Sequence, residues 1–180
     1  MNPLHPLNPF VVRPEEAEHI ELPDGAGIRL LADAADTAGA VGVNLLKLAA
    51  GADGAGPHHH TRSTEVFYVV AGAARFLLSG ADGDRAETVG AGGLVVVPPG
   101  IVHAFGAVPR QGAELLVLLT PGVDRFGYFR ALGRVRRGEE PFDVLLDEQH
   151  RYDVHFAAGT AAGTTAGTTA DDRTATAPAR

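Results

Sequence analysis

The feature that most restricts the fold of this chain is a succession of short apolar segments separated by glycine- and proline-rich turns. The 180 residues include 23 glycines and 12 prolines, a composition that disfavours long helices. Each segment has the length and the Val, Leu and Phe content of a β-strand. Eight strands are predicted, at 27–32, 41–49, 64–70, 74–79, 85–89, 94–97, 102–107 and 114–120. Successive hairpins of this kind indicate an all-β antiparallel sandwich or barrel.

One hairpin is predicted in detail, because Ala71 and Gly72 have the length and the residue types of a tight two-residue turn between the third and fourth strands. After residues 121–122 the apolar spacing changes to that of a helix over 123–135, which is expected to end near Gly138. A second short helix is predicted over 141–150.

The chain is expected to contain a single domain, since its length suits one hydrophobic core. Residues 1–14 are predicted to form an extended arm because closely spaced prolines oppose helix formation. Residues 15–156 form the predicted domain. Residues 157–180 are rich in Ala, Gly and Thr and are predicted to be a disordered tail, since they offer few large apolar groups.

Charge and composition narrow the possible partners. The formal net charge is −7 and no basic stripe is present, which argues against nucleic acid and acidic membrane surfaces as partners. No segment resembles a signal peptide or a membrane span, so the protein is expected in the cytoplasm. Cysteine is absent, and any metal site must therefore use histidine and carboxylate ligands. A small-molecule partner is the expectation.

A run of three histidines provides such ligands. In an extended segment His58 and His60 share a face while His59 points the other way. Glu65 begins an apolar strand, where an inward carboxylate needs a cation, and His103 lies on a later strand. Taken singly, an exposed loop or a core histidine bonded to backbone would explain each histidine. Together they are typical of a divalent transition-metal site with nitrogen and oxygen ligands.

These residues resemble the two signature motifs of the cupin superfamily. The first motif appears as His58-x-His60-x4-Glu65-x6-Gly72, and the second as Gly92-x5-Pro98-x-Gly100-x2-His103. Two positions depart from the pattern: Ala52 stands at the opening glycine of the first motif, and Ala107 stands at the closing asparagine of the second. The resemblance implies a jelly-roll barrel or sandwich, commonly dimeric, with an internal metal.

The resemblance also implies the metal ligands, which are His58, His60, Glu65 and His103. Iron, nickel, manganese, cobalt, copper and zinc all accept this ligand set, so the metal is not specified further. Residues 64–69 and 151–156 show a looser similarity to bacterial single-domain quercetinases. That similarity implies a dioxygenase that opens a phenolic or enol ring with dioxygen and releases carbon monoxide. Glu65 would be the catalytic residue, either as a permanent ligand or as the base that takes the substrate's hydroxyl proton.

Other functions stay open at the level of sequence. A cupin isomerase, epimerase or lyase would use the metal as a Lewis acid and could place Arg62, Arg75 or Arg110 beside the cavity, although surface charge is the simpler interpretation of these arginines. A non-catalytic small-molecule-binding protein and a structural protein with a vestigial site are further alternatives. The side chains predicted to line a substrate pocket are Phe67, Phe76 and Phe105.

A homodimer is predicted from strands that are apolar on both faces. Residues 66–70 and 94–97 are apolar on both faces of their strands, so another part of the protein must cover the outer face. The arm, the helices or a second copy of the chain could provide that cover.

Overall fold

The computed structural model describes residues 8–157, and these residues form two antiparallel β-sheets that share one long strand. The strands within this range are β1 (His19–Glu21), β2 (Gly27–Ala32), β3 (Gly42–Leu48), β4 (Asp53–His59), β5 (Thr64–Leu78), β6 (Arg85–Gly90), β7 (Leu94–Val97), β8 (His103–Ala107), β9 (Ala113–Thr120) and β10 (His155–Phe156). The α-helices are α1 (Phe126–Arg136), α2 (Asp143–Asp147) and α3 (Gln149–Tyr152), and short 3-10 helices cover Pro23–Gly25 and Ala34–Thr37. Residues 1–7 of the predicted arm and 158–180 of the predicted tail lie outside the described residues.

The two sheets curl around a common interior. The first has the strand order β1-β2-β3-β9-β5-β7, and the second has the order β10-β4-β8-β5-β6. Every described pairing is antiparallel, and the predicted all-β jelly-roll architecture with C-terminal helices is confirmed. The second sheet contains β4 and β8, which carry most of the histidines of interest.

The hairpin predicted at Ala71 and Gly72 is wrong, because β5 continues through both residues for a total of 15 residues. Pairing with β9 shifts register between Val69 and Ala71, and the strand then passes from the first sheet into the second. Gly72 has φ +73°, and a side chain there would collide with the carbonyl oxygen of Gly112. A glycine that marks a bend where a strand changes sheets carries the same sequence signal as a hairpin turn.

Alternating side chains of the shared strands fill the space between the sheets. The inward residues of β9 are buried while its outward residues are only partly covered. Phe67, Val69 and Phe76 of β5 are among the most buried side chains of the core. Each such side chain stabilises the fold by about 1.5–3 kcal/mol relative to an exposed position. The core therefore supports β5 along its whole length, including the end that bears Glu65.

Helix α1 lies against β1 at one end of the barrel. Arg130 of α1 donates two hydrogen bonds to Glu18, of 2.9 and 2.6 Å, and Gly133 packs closely on Ile20. A second apolar cluster, built around Tyr128, Leu145, Tyr152 and Val154, joins α1 to the short helices that follow. The single helix predicted over 141–150 is instead two helices, since Glu148 leaves helical geometry between them. Within residues 8–157 no helix is long and apolar enough to cross a bilayer.

Candidate metal centre

The pairing of β4 with β8 brings the histidines together. His58 lies in β4 directly opposite His103 of β8, and their ring centres are 4.3 Å apart. His60 follows the end of β4, and it is buried together with His58 and His103. His59 does not join them, since its ring stacks on His155 at a centroid distance of 5.2 Å. The period of two along an extended segment thus separates adjacent histidines onto opposite faces.

Glu65 completes the group from the start of β5. Its Oε2 lies 2.8 Å from Nε2 of His103 and 3.1 Å from Nε2 of His60. One ligand atom from each of His58, His60, Glu65 and His103 lies within 4.8 Å of all the others. Ligands at right angles around an ion with bonds of about 2.1 Å stand about 3.0 Å apart. The spacing of these atoms therefore fits one shared transition-metal ion.

Backbone carbonyls fix the orientation and tautomer of all three imidazoles. Nδ1 of His58 donates to the carbonyl of Gly56 at 2.8 Å, and Nδ1 of His103 donates to that of Ile101 at 3.0 Å. Nδ1 of His60 donates to the carbonyl of Asp153. A carbonyl can only accept, so each Nδ1 carries a proton, and Nε2 is the ring nitrogen that each histidine can offer to a metal.

The pKa shifts agree with a ligand role. Burial, reinforced by the nearby His103, lowers the pKa of His58 to about 3, so this ring is neutral at physiological pH. Burial alone would raise the pKa of Glu65, but charge and hydrogen bonding from His60 and His103 outweigh it and hold that pKa well below its usual value. A neutral His58 and an ionised Glu65 are in the protonation states that a metal requires of its ligands.

Asp153 organises the loop between two of these residues. Its side chain accepts hydrogen bonds from the backbone N–H groups of Thr61, Arg62 and Ser63, at 2.8, 3.1 and 3.2 Å, and from Oγ1 of Thr61 at 2.6 Å. Burial opposes ionisation, but these donors lower the pKa of Asp153 to about 2. Asp153 has φ 52°, a left-handed conformation that Asp tolerates better than most residues. Residues 61–63 connect His60 to Glu65, so this carboxylate fixes their relative position.

A cavity opens beside the site on the side of His58 and Glu65. Its volume is about 80 Å³, which is room for several water molecules or a ring-sized group. The walls are largely apolar and include Ile28, Leu46, Leu48, Val117, Phe129 and Leu132. An apolar cavity beside a few polar groups is the usual form of a small-molecule site.

The three phenylalanines predicted to line a pocket lie in different places. Phe105 is part of the cavity wall. Phe67 and Phe76 are 0% and 1% exposed and belong to the core. Phe67 lies between Phe105 and His103, with centroid distances of 4.9 and 6.0 Å. Phe67 therefore supports a cavity side chain and a metal-site histidine from behind.

The arginine beside the cavity is Arg125, which the sequence analysis did not single out. It lines the cavity, is 6% exposed, and places Nη1 3.8 Å from Oε1 of Glu65. The three arginines expected beside the cavity of a cupin lyase or isomerase do not line it. Arg75 pairs with Asp53 at 3.2 Å, Arg62 donates to backbone carbonyls at the surface, and Arg110 is exposed. Their interpretation as surface charges is confirmed. A sequence signal for Arg125 is weak, because it stands in a loop outside both motifs.

Comparison with known proteins agrees with this architecture. The family model for the cupin domain matches residues 44–119, a range that contains all four clustered residues. Residues 44–119 of the chain therefore form a cupin domain. The predicted resemblance is therefore confirmed at the level of the superfamily. No curated protein matches this cupin significantly.

Several solved structures share its fold. KdgF from a Halomonas species is 23% identical, with a TM-score of 0.50 over 61% of this chain and 92% of its own. Streptomyces PAC13, solved with uridine, is 20% identical, with a TM-score of 0.50 over 66% of this chain and 86% of its own. An oxalate decarboxylase from Bacillus subtilis is 25% identical, with a TM-score of 0.52 over 60% of this chain, which spans only 28% of the decarboxylase.

Proposed function

We propose that this cupin is a metal-dependent dioxygenase of the quercetinase type that acts on a phenolic or enol small molecule. The observation that carries the proposal is the convergence of three imidazoles and one carboxylate beside an apolar cavity. Four protein ligands leave two positions of an octahedral ion, which suit a substrate oxygen and a second small ligand.

The bound metal would supply a Lewis acid for an ionised substrate oxygen and a redox centre for dioxygen chemistry. His58, His60 and His103 would hold it through Nε2, and Glu65 would hold it through Oε2, the oxygen that faces His60 and His103. The other oxygen, Oε1, lies on the side of Arg125. We propose that Oε1 takes the proton of the substrate hydroxyl, because it is a carboxylate oxygen at the cavity wall.

The apolar walls have a separate role in this proposal. Phe105, Phe129 and Leu132 exclude water from the bound ring and from the ionised oxygen next to the metal site. With about 80 Å³ available, one ring is enclosed, and a larger flavonol would extend through the mouth of the cavity.

The test is turnover with and without oxygen. Protein stripped with a chelator and reloaded separately with each of the six candidate metals is mixed with quercetin and with simple catechols. We expect loss of substrate absorbance with at least one metal, stoichiometric oxygen uptake, and carbon monoxide release from quercetin. Glu65→Gln should abolish turnover, whereas the control change His59→Gln, on the opposite face of β4, should retain it. Oxygen-independent loss, or no loss with any metal, would contradict the proposal.

A second candidate is an oxygen-independent lyase or isomerase that uses the metal as a Lewis acid. Arg125 favours it, since a buried cation at the cavity suits an acidic substrate. The decarboxylase neighbour is named for a reaction on an acidic compound, oxalate. Substrate consumption that proceeds equally under nitrogen would select this candidate over the dioxygenase.

We also propose that the protein is a homodimer. Tyr68 and Val70 of β5 and Leu94 and Val96 of β7 form an exposed apolar surface, with Leu94 58% and Val96 52% exposed. In the described residues neither the helices nor residues 8–18 cover this surface. Light scattering should give twice the chain mass, and Val96→Glu should convert the protein to a monomer. A monomeric wild-type protein would contradict this assembly.

A further inference from the structure

We propose that Arg125 determines substrate specificity by binding an anionic oxygen of the substrate beside the metal site. The ligand class is an apolar ring that bears one carboxylate or enolate oxygen. This inference rests on the proposed metal site and cavity, but it does not depend on dioxygen.

The first observation is a buried cation with unused hydrogen-bond donors. Arg125 is 94% buried, and its Nε and Nη1 atoms have no hydrogen-bond partner. A guanidinium carries five N–H donors in a fixed plane, and buried donors of this kind almost always have acceptors. The rings of Tyr128 and Phe129 lie 5.3 and 5.4 Å from its central carbon, and these contacts leave the in-plane donors unused.

The second observation is the position of the guanidinium. Nη1 lies 3.8 Å from Oε1 of Glu65, which is beyond hydrogen-bond distance. Two other charged residues line the cavity in the described residues: Asp53 pairs with Arg75, and Arg136 is exposed to solvent. His58 is neutral. An anion that enters the cavity would find unused N–H donors at Arg125.

The third observation is that Arg125 is held in place before any ligand binds. The carboxylate of Asp33 accepts hydrogen bonds from the backbone N–H groups of Arg125 and Phe126, at 2.7 and 3.1 Å. Asp33 is itself fixed by the 3-10 helix that it caps. Because its backbone is fixed and two rings flank its side chain, Arg125 loses little conformational entropy when a ligand binds.

The ligand class follows from these contacts and from the walls. The unused N–H groups of a guanidinium match a carboxylate or a single charged oxygen. The surrounding apolar side chains match a ring and would leave a second charge unpaired. A neutral ring of the same shape would leave the buried donors of Arg125 without acceptors, so charge selects the ligand.

The experiment measures binding to zinc-loaded protein by titration calorimetry, where no redox turnover interferes. The carboxylate pair is benzoate and benzamide, and the enolate-like pair is 4-nitrophenolate and 4-nitroanisole. In wild type we expect the charged member of at least one pair to bind more tightly, and the pair that shows the effect identifies the anion. Arg125→Met should weaken the charged member about ten- to hundredfold and leave the neutral member within about threefold. Arg125→Lys should restore part of the preference.

Arg110→Met, which removes an exposed arginine, is the matched control and should leave both ratios unchanged. An unchanged ratio in Arg125→Met, or no charge preference in either wild-type pair, would overturn the inference. The second outcome needs no variant and applies even where Arg125→Met does not fold. Charge-selective binding without oxygen-dependent turnover would uphold the role of Arg125 and reject the dioxygenase.

Discussion

Two clusters of histidines lie on opposite sides of β4, and they differ in how their rings are held. In the inner cluster, His58, His60 and His103 each donate Nδ1 to a backbone carbonyl. In the outer cluster, His59 stacks on His155, while Nδ1 of His59 and Nε2 of His155 are buried without hydrogen-bond partners. Among residues 8–157, the inner group is the one in which four ligand atoms converge.

The difference shows that histidine density does not make a metal site. Backbone acceptors orient each inner ring and leave a lone pair pointing to a common centre, and a carboxylate supplies the missing charge. The outer rings each have a buried nitrogen without a hydrogen-bond partner, and no group of converging ligand atoms includes them among the described residues. The inner cluster is thus expected to bind metal and the outer cluster to contribute only packing.

The strongest test of this comparison removes one ring from each side. His103→Ala deletes a proposed ligand of the inner cluster and should reduce zinc affinity by more than about 100-fold. The reason is that three proposed ligands remain and that Glu65 loses the ring that faces it. His59→Ala is the outer counterpart and should change that affinity by less than about threefold. Competition with a chelating dye measures both constants. Equal losses in the two variants would show that the clusters are not distinct.

The next effect concerns Asp153, which shapes the loop of the inner cluster without touching the ion. In Asp153→Asn an amide N–H₂ replaces an acceptor that faces backbone N–H groups. We expect the free energy of unfolding to fall by about 2–3 kcal/mol and zinc affinity to fall about 10–100-fold. Urea unfolding and dye competition measure these changes.

Asp124→Asn is the control for this substitution, since Asp124 accepts one hydrogen bond, from the N–H of Ala35 at 2.8 Å, and this bond lies outside the loop of residues 60–63. It should cost less than about 1 kcal/mol and leave zinc affinity unchanged. Full metal affinity in Asp153→Asn would show that the loop keeps its shape without this carboxylate.

A third effect appears on acidification of the metal-free protein. Burial depresses the pKa of His58 from 6.5 to about 3, so between these values the unfolded chain binds a proton that the folded chain does not. Stability is therefore lost as the pH falls from 6.5 toward 3. His58→Gln removes this proton, and its loss of stability between pH 7 and pH 5 should be smaller than that of wild type by about 2 kcal/mol.

Urea unfolding at the two pH values measures this difference directly. Identical pH dependence in the two proteins would mean that His58 accepts its proton in the folded state, contrary to its burial.

The smallest expected effect lies in the outer cluster. His155→Phe keeps a ring against His59 and removes a buried Nε2 atom that has no hydrogen-bond partner. The change in the free energy of unfolding should stay within about 1 kcal/mol, and zinc content should equal that of wild type. Thermal unfolding and elemental analysis measure both, and a loss of metal would assign His155 to the inner site.

Much of the fold and of the site could be predicted from short patterns. The positions of glycine and proline between apolar segments located most strands. The motif spacing predicted the side-chain group that the structure brings together, which consists of His58, His60, Glu65 and His103. These signals are local, since each depends on residues within one motif or one strand. The continuity of β5 was not predictable in this way, because Gly72 allows the strand to bend from one sheet into the other and has the same local signal as a turn.

Arg125 and Asp153 were missed because their partners lie far away in sequence. Asp153 contacts residues about 90 positions earlier, and Arg125 approaches Glu65 across 60 positions. A charged residue between two apolar ones, as in Tyr152-Asp153-Val154, does signal a buried carboxylate that needs donors. It does not identify those donors, which only the packing of the C-terminal segment onto β4 provides.

The contact between Asp153 and residues 60–63 has a consequence for biosynthesis. The N-terminal part of a chain leaves the ribosome first, so the four proposed ligands emerge well before Asp153, which shapes the loop of residues 60–63. A nascent chain halted at Thr120 would contain the whole cupin match yet leave His60 without its carbonyl acceptor. We therefore expect metallation to follow the emergence of Asp153 from the ribosome.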